Sequence, residues 1–388
     1  MKSQKSSILR KGIGSLVVVA VAFACAVPCG CAHAPCAAAP ASGNPLKVGV
    51  YADKGPGGIG AIEWFRLVAE SPDMELTLLD GAAVRAGGLD GLDLLVMPGG
   101  SSKAEFSSLG TNGVERMKSF IRNGGGYIGT CAGCCLLMDE PDLRARVMPW
   151  ARSGTEDVTM YPNIRLNARG AAALGIKEGL HVVRFHGGPF MWPTTNVIAG
   201  ARFEEWGTME AEATMKGRLD RKKRMYGATA VVGGTYGKGR VFVTSAHPEY
   251  FDSTLYIVKA AFRYVTGREV EFKARLRRPR AISVGFLAKG IGGVETARTA
   301  LAVAAERDFD LVPIDVDGIF QRRLDNIDVL VVTSDLARKN AVLKSAIRDF
   351  AARGGKVVGF GGGKSVLPEG GVPSGSGQEL VRTIKSLF

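Results

Sequence analysis

Gly124-Gly125-Gly126-Tyr127-Ile128-Gly129-Thr130-Cys131-Ala132-Gly133-Cys134-Cys135-Leu136-Leu137 is the stretch whose reading settles the fold. A short apolar run, Tyr127–Gly129, meets small residues around one nucleophile, and an apolar run resumes at Cys134. This is the pattern of a buried strand passing through a tight turn into a helix, with Cys131 at the apex. Glycines on both sides keep backbone atoms from clashing where the chain reverses. A helix start beneath the sulfur favours its thiolate. Taken alone, the same residues also describe a small buried cysteine in a Gly-rich turn.

The same alternation extends outward. Apolar runs Lys47–Ala52, Leu76–Leu79 and Leu92–Met97 alternate with amphipathic stretches Ile62–Ala69 and Val114–Arg122. Downstream, Ala230–Gly234 and Arg240–Thr244 flank Tyr236-Gly237-Lys238-Gly239 as a hairpin. Ser253–Thr266 then reads as a helix with Leu255, Val258, Phe262 and Val265 on one face and Gly267 as its stop. Short apolar strands between helical patterns predict an α/β fold: a flavodoxin-like doubly wound parallel sheet with helices on both faces.

After a basic linker the pattern starts again. Ser283-Val284-Gly285-Phe286 echoes Lys47-Val48-Gly49-Val50, and from Lys54/Lys289 to Pro98/Thr333 the chain aligns with itself at a constant offset. Gly57/Gly292, Gly58/Gly293, Leu76/Leu311, Asp80/Asp315 and Asp93/Asp328 are pairs; further on come Phe120/Phe350, Gly125/Gly355 and Gly133/Gly363. We read an internal duplication of the first four strands. Convergent α/β patterning reproduces such a long constant offset less readily. Gly361 stands opposite Cys131, so the second copy lacks the nucleophile.

Composition bounds the rest. The chain has 388 residues, 22% of them charged and 46% apolar, which excludes a disordered or fibrous protein. Part of its net charge of +13 sits in Lys2, Lys5, Arg10 and Lys11, ahead of the apolar run Ile13–Ala24. That is an export leader, 1–24, and the run is short for a membrane span. Cys25, Cys29, Cys31 and Cys36 follow it in an Ala/Pro-rich tether, 25–45. Ala22-Phe23-Ala24-Cys25 resembles a bacterial lipobox and points to lipid attachment at Cys25, although Leu is more usual three residues before the cysteine; simple cleavage further on is the other reading. The expected location is therefore outside the cytoplasm, periplasmic or in the cell envelope. The expected domains are 46–270, a basic linker 271–280, and a degenerate repeat 281–388.

Two further segments belong beside Cys131. His247 lies in Ser245-Ala246-His247-Pro248-Glu249, after a strand. An imidazole there suits removal of a thiol proton and its return to a leaving amine, and the Glu249 carboxylate two residues on suits the far ring nitrogen. Met97-Pro98-Gly99-Gly100 also follows a strand, where N–H groups of Gly99 and Gly100, joined by that of Ala132, suit a developing oxyanion. In this chain order the pieces resemble the class I glutamine amidotransferase-like superfamily. More narrowly, the run from Leu46 to Gly267 is similar to the amidotransferase-like N-terminal domain of biotin–protein ligases. LLVMPGGSS, GGGYIGTCAGCCLL, FHGGP (Phe185–Pro189) and YGKGRVFVTSAHPEY carry that resemblance.

The resemblance implies a Cys131–His247–Glu249 triad, with Gly99, Gly100 and Ala132 around the oxyanion. It places His186 and Gly187 in a family-like motif, as pocket lining or as a turn. The ligase catalytic domain with its biotin-adenylate loop is not found, so biotin ligation is not expected. Hydrolysis of a small or peptide-like amide fits an exported chain better than ammonia supply to synthesis. A catalytically inactive module that binds a ligand or partner is the rival. No cofactor is expected and no metal, because adjacent cysteines at an elbow rarely converge on one ion. Gly55-Pro56-Gly57-Gly58-Ile59-Gly60 with Asp80 satisfies a dinucleotide pattern, but turn packing explains it equally well. Cys131-Ala132-Gly133-Cys134 has redox spacing, and a Cys131–Cys134 disulfide would silence the nucleophile. The basic stretches Lys216–Arg224 and Lys273–Arg280 lack interleaved aromatics and read as solvated loop and linker, not a nucleic-acid face. Trp192 and the loop around Trp206 are further candidates for pocket walls. Oligomeric state is not legible.

Overall fold

The computed structural model of the chain describes residues 44–138, 147–155, 159–194, 198–211, 224–273, 281–287, 293–316, 323–334, 338 and 340–388. The leader, nearly all of the tether with Cys25, and most of both basic stretches lie outside the described residues.

In chain order the first half contains β1 (Leu46–Tyr51), α1 (Gly58–Ala69), β2 (Met74–Leu79), α2 (Gly81–Arg85), β3 (Leu94–Met97), α3 (Ser102–Arg122) and β4 (Gly126–Thr130). Then follow β5 (Ala151–Thr155), β6 (Thr159–Met160), β7 (Asn163–Leu166), α4 (Ala168–Leu174), β8 (Gly179–Val182), β9 (Phe185–His186), β10 (Pro189–Pro193), β11 (Ala201–Met209), β12 (Thr229–Tyr236), β13 (Gly239–Thr244) and α5 (Leu255–Thr266). The main sheet runs β2-β1-β3-β4-β13-β12-β11-β7-β8, with β10 and β5 branching from β12. From β2 to β13 neighbours are parallel; from β13 to β8 they are antiparallel. The doubly wound parallel pattern is therefore one half of a mixed sheet.

Strand periodicity builds the two layers. Leu94 and Val96 of β3 point to the face covered by Ile62 and Phe65 of α1 and Phe262 of α5. Leu95 and Met97 point to the face covered by Phe106, Leu109 and Met117 of α3. A period of two turns one apolar strand into the floor of two cores, which is why buried parallel strands read as continuous apolar runs. Trp206 lies in β11 and not in a loop: it is buried, packed across Gly233 and edge-on to Tyr264 at 4.8 Å, while Phe203, Glu204 and Glu205 before it line a surface hollow.

The second half contains β14 (Ile282–Leu287), α6 (Val294–Ala305), β15 (Phe309–Ile314), β16 (Val329–Val332), α7 (Ala341–Ala352), β17 (Lys356–Phe360), β18 (Val372–Ser374) and α8 (Gln378–Lys385). Its sheet is parallel throughout, in the order β15-β14-β16-β17-β18. The first four of these strands have the order and direction of β2-β1-β3-β4. Small details match too. Asp93 accepts the Lys47 N–H at 2.8 Å, and Asp328 accepts the Ser283 N–H at 2.7 Å. The two halves share one apolar cluster through α1, α6 and β15, and Arg66 of α1 donates to the Leu311 carbonyl at 3.4 Å.

Candidate active site

β4 ends at Thr130 and the chain enters a 3-10 turn, Cys131–Leu137. Cys131 has φ 51°, alone among the described non-glycine residues in having a positive value. Such a conformation costs an L-residue roughly 1–2 kcal/mol, so its surroundings must enforce it. Gly133, two residues on, lies so tightly under the Met97 carbonyl that no side chain fits, and its own carbonyl accepts the Tyr127 hydroxyl at 2.7 Å. Strand end and turn are thereby clamped together with the cysteine at the apex. The sequence pattern predicts a regular helix from Cys134. Instead the 3-10 turn stops after seven residues, where Met138 turns extended and pairs with Ala151. A long helix dipole beneath the sulfur is therefore absent from the described residues. The second half has the same backbone, with Gly361 at φ 56° opening the 3-10 turn Gly361–Val366.

His247 reaches Cys131 through topology. β13 lies beside β4 in parallel, with Thr244 level with Thr130, so both chains leave the sheet at the same edge. Pro248 opens a 3-10 turn to Tyr250, folding the Glu249 carboxylate back on the ring. His247 Nδ1 stands 2.8 Å from Glu249 Oε1, with both side chains buried. Thr130 Oγ1 donates to the same carboxylate oxygen at 3.4 Å and accepts from Trp64 Nε1 at 3.1 Å, so α1 braces the pair. Gly99 marks where the catalytic candidates meet. A Cβ added there would stand 2.7 Å from His247 Cε1, 2.9 Å from Cys131 Cβ and 3.4 Å from Cys131 Sγ.

The electrostatics follow from this packing. Burial pulls the His247 pKa down, but its interactions with Glu249 and Cys131 outweigh it and push it up to about 10. That shift favours the imidazolium at neutral pH. His247 Nε2, the nitrogen away from Glu249, is buried with no hydrogen-bond partner among the described residues. None of Cys131, Cys134 and Cys135 is in a disulfide. Cys134 points back at the Gly129 carbonyl at 3.9 Å, and burial, then the neighbouring Cys135 and Cys131, push its thiol well above the usual range. Among the described residues no group of three or more His, Cys, Asp or Glu side chains is placed to hold a metal.

Of the other sequence candidates, Ala132 adjoins Cys131 and is buried. Gly100 pairs with Pro56, the Gly57 N–H donating to the Gly99 carbonyl at 2.9 Å. His186 meets the sulfur by its backbone: its carbonyl accepts the Cys131 thiol at 3.7 Å, while its Nδ1 is 2.5 Å from Thr159 Oγ1. Gly187, at φ 61°, turns the chain away immediately afterwards.

Three residues of the site escaped sequence reading in different ways. Gly60 was visible only as the third glycine of a dinucleotide pattern. In α1 it lies against the His247–Glu249 pair, since a Cβ there would stand 2.5 Å from Glu249 Oε1 and 2.8 Å from His247 Nδ1. Asp80, the acid of that pattern, caps α2 by accepting the Ala83 N–H at 2.6 Å. Thr130 carries no motif signal of its own. Glu105 on α3 gave no signal, yet both its carboxyl oxygens are buried without hydrogen-bond partners among the described residues. Burial first, then the charge of Cys131, push its carboxyl well above the usual range.

That shift has a sign. A carboxyl raised on folding favours the folded state fully below its unfolded value and loses that contribution as pH rises, because the unfolded chain releases the proton first. Glu105→Gln should therefore flatten the decline in unfolding free energy above about pH 5, a decline of up to about 1.4 kcal/mol per pH unit for one proton. Denaturant melts of wild type and variant across pH check this; parallel curves would refute it.

A hollow of about 500 Å³, lined by Leu46, Asp90, Arg116, Phe120 and Thr266, lies at the opposite end of the parallel strands. Ligands of open α/β sheets bind at the carboxyl ends, where Cys131 and His247 stand.

Residues 90–175 match the family model described as biotin-protein ligase, N terminal, a span that contains Gly99, Gly100, Cys131 and Ala132 and stops short of His247. No curated protein matches the chain. Among solved structures, PurLQS from Thermotoga maritima is 12% identical over 57% of this chain and 99% of its own, with a TM-score of 0.39. A putative ThuA-like protein from Bacteroides uniformis is 12% identical over 60% of this chain and 96% of its own, at TM-score 0.45. Another putative ThuA-like protein, from Parabacteroides merdae, is 10% identical over 59% and 93%, at TM-score 0.39. The fold is read from the strand order above. The chain is mixed α/β in fold, and over residues 90–175 it is similar to the N-terminal family of biotin–protein ligases.

Proposed function

We propose that this is an exported, cell-envelope amide hydrolase that works through a thioester on Cys131. The observation that carries the proposal is the pairing of a strained Cys131, at φ 51°, with a buried His247 held 2.8 Å from Glu249 at the same sheet edge. The Cys131 thiolate attacks the carbonyl carbon of a small or peptide-like amide, and the N–H groups of Gly99, Gly100 and Ala132 receive the oxyanion. Collapse breaks the C–N bond, and His247 gives its Nε2 proton to the departing amine. A water then attacks the thioester as neutral His247 takes its proton; acid product leaves and the thiolate–imidazolium pair returns. Glu249 fixes the ring and stabilises the imidazolium throughout. The His186 carbonyl and the Gly187 turn border the substrate. No metal or cofactor takes part in these steps.

In this proposal residues 1–24 are a leader and Cys25 carries lipid, and the second half, 281–388, is a degenerate copy that lost the nucleophile. The second reading, a binding module, is favoured by one observation: Cys131 is only 6% exposed. A panel of primary amides, glutamine and short peptide amides separates the two. Hydrolysis predicts amine or ammonia release from at least one class. Ligand-induced thermal stabilisation without release across the panel would favour the binding module.

A further inference from the structure

Arg184 is a buried cation whose contacts come from both halves of the chain. Its side chain is 4% exposed, and its Nη2 donates to Asp315 Oδ2 at 2.6 Å. Arg184 lies between β8 and β9, whereas Asp315 follows β15. The Arg184 carbonyl accepts the His247 N–H at 2.8 Å in an isolated antiparallel bridge. Its guanidinium carbon lies 4.4 Å from the centre of the Tyr250 ring, and the Tyr250 N–H donates to the His247 carbonyl at 3.2 Å. One arginine thus grips the turn from His247 to Tyr250 at both ends, by backbone at the first residue and by side chain at the last. Glu249 sits between the two grips.

A guanidinium buried this deeply stays in place only with a counter-charge, because desolvating an unpaired ion costs far more than one hydrogen bond returns. Asp315 supplies that charge through Nη2, and Arg184 Nε has no hydrogen-bond partner among the described residues. Asp80, the counterpart of Asp315 in the first half, accepts from the backbone of its own helix α2. Asp315 is turned across to the other half instead. Packing of β15 and α6 on α1, the helix that also carries Trp64 and Gly60, keeps it there.

We infer that the second half is a positioning element for the site in the first: Asp315, through Arg184, sets the turn that carries His247 and Glu249. This rests on the reading of Cys131 and His247 as a working pair. It gives the half without a cysteine a task that loss of its own nucleophile would not touch.

The test is the pH profile of Cys131 alkylation by iodoacetamide in the full chain, read by peptide mapping so that Cys134 and Cys135 are counted separately. His247→Gln should slow alkylation about tenfold near pH 6.5 and less than about twofold near pH 9.5. Asp315→Asn should reproduce most of that loss, about fivefold near pH 6.5, and Asp315→Glu, which keeps the charge, should return to within about twofold of wild type. Arg184→Lys keeps the backbone bond and the charge but loses the planar stack on Tyr250, and should fall between them, about threefold slower. It and Asp315→Glu serve where Asp315→Asn does not fold. A lower unfolding temperature with a wild-type profile in the Asp315 and Arg184 variants would mean a structural contact only and overturn the inference alone. An unchanged profile in His247→Gln would overturn the reading of the site and this inference with it.

Discussion

Cys131→Ala should keep the fold and lower the proposed amide turnover at least about 1,000-fold, the scale of removing a covalent nucleophile. Among the described thiols, Cys134 offers no replacement. Cys134 is buried and aimed at the Gly129 carbonyl, its proton held tightly by burial, and Cys135 is also buried. The same position reports on strain. Alanine inherits the positive φ of Cys131, whereas glycine adopts it freely, as Gly361 does at the matching turn. Cys131→Gly should therefore be as inactive as Cys131→Ala yet more stable, by up to about 1 kcal/mol. Denaturant unfolding beside the activity assay checks both statements. Retained turnover in either variant removes Cys131 from the mechanism.

Gly60→Ala, a single added methyl group outside the Cys131 turn, should lower turnover about 100-fold, as expected when an orienting carboxylate is displaced from its histidine. The reason is space. The new Cβ would stand 2.5 Å from Glu249 Oε1 and 2.8 Å from His247 Nδ1. Glu249 is fully buried and α1 packs on the turn that carries it, so the pair must separate rather than retreat together. Glu249→Gln removes the same interaction without a collision. The two changes should therefore be non-additive, the double variant falling no more than a few fold below either single one. Kinetics of the three variants check this, and additive losses would place Gly60 outside the triad's packing.

The site was legible where chemistry coincides with a strand end. Cys131 between small residues, His247 and Glu249 around a proline, and the Gly99-Gly100 turn each follow an apolar run, and the sheet order brings all three to one edge. What was not legible is the pairing itself: no local signal says that β13 inserts beside β4 or that the sheet continues antiparallel through β12 and β11. Gly60 gave a signal that pointed elsewhere, because a glycine required by a distant His–Glu pair looks the same as one required by a phosphate. The 3-10 turn at Cys131 replaced an expected helix because pairing of Met138 with Ala151, a non-local contact, ends it early. Trp206 looked like a pocket wall, but strand alternation turns it inward onto Gly233. Arg184 and Asp315 are 131 residues apart, and neither belongs to a motif.

The repeated spacing in the sequence has a counterpart in strand order. The second sheet repeats β2-β1-β3-β4 and turns through Gly361 with the backbone of Cys131. Its packing on α1 is what allows an acid from that half to reach the turn after His247.

The central claim, that Cys131 is a nucleophile activated by His247, is tested most directly by an electrophilic analogue of an amide substrate, such as a halomethyl ketone, read by intact mass and peptide mapping. The account predicts that, of Cys131, Cys134 and Cys135, Cys131 alone is labelled near neutral pH, with that adduct absent from Cys131→Ala and slowed in His247→Gln. Equal labelling of wild type and Cys131→Ala, or an adduct on Cys134 or Cys135 instead, would contradict it.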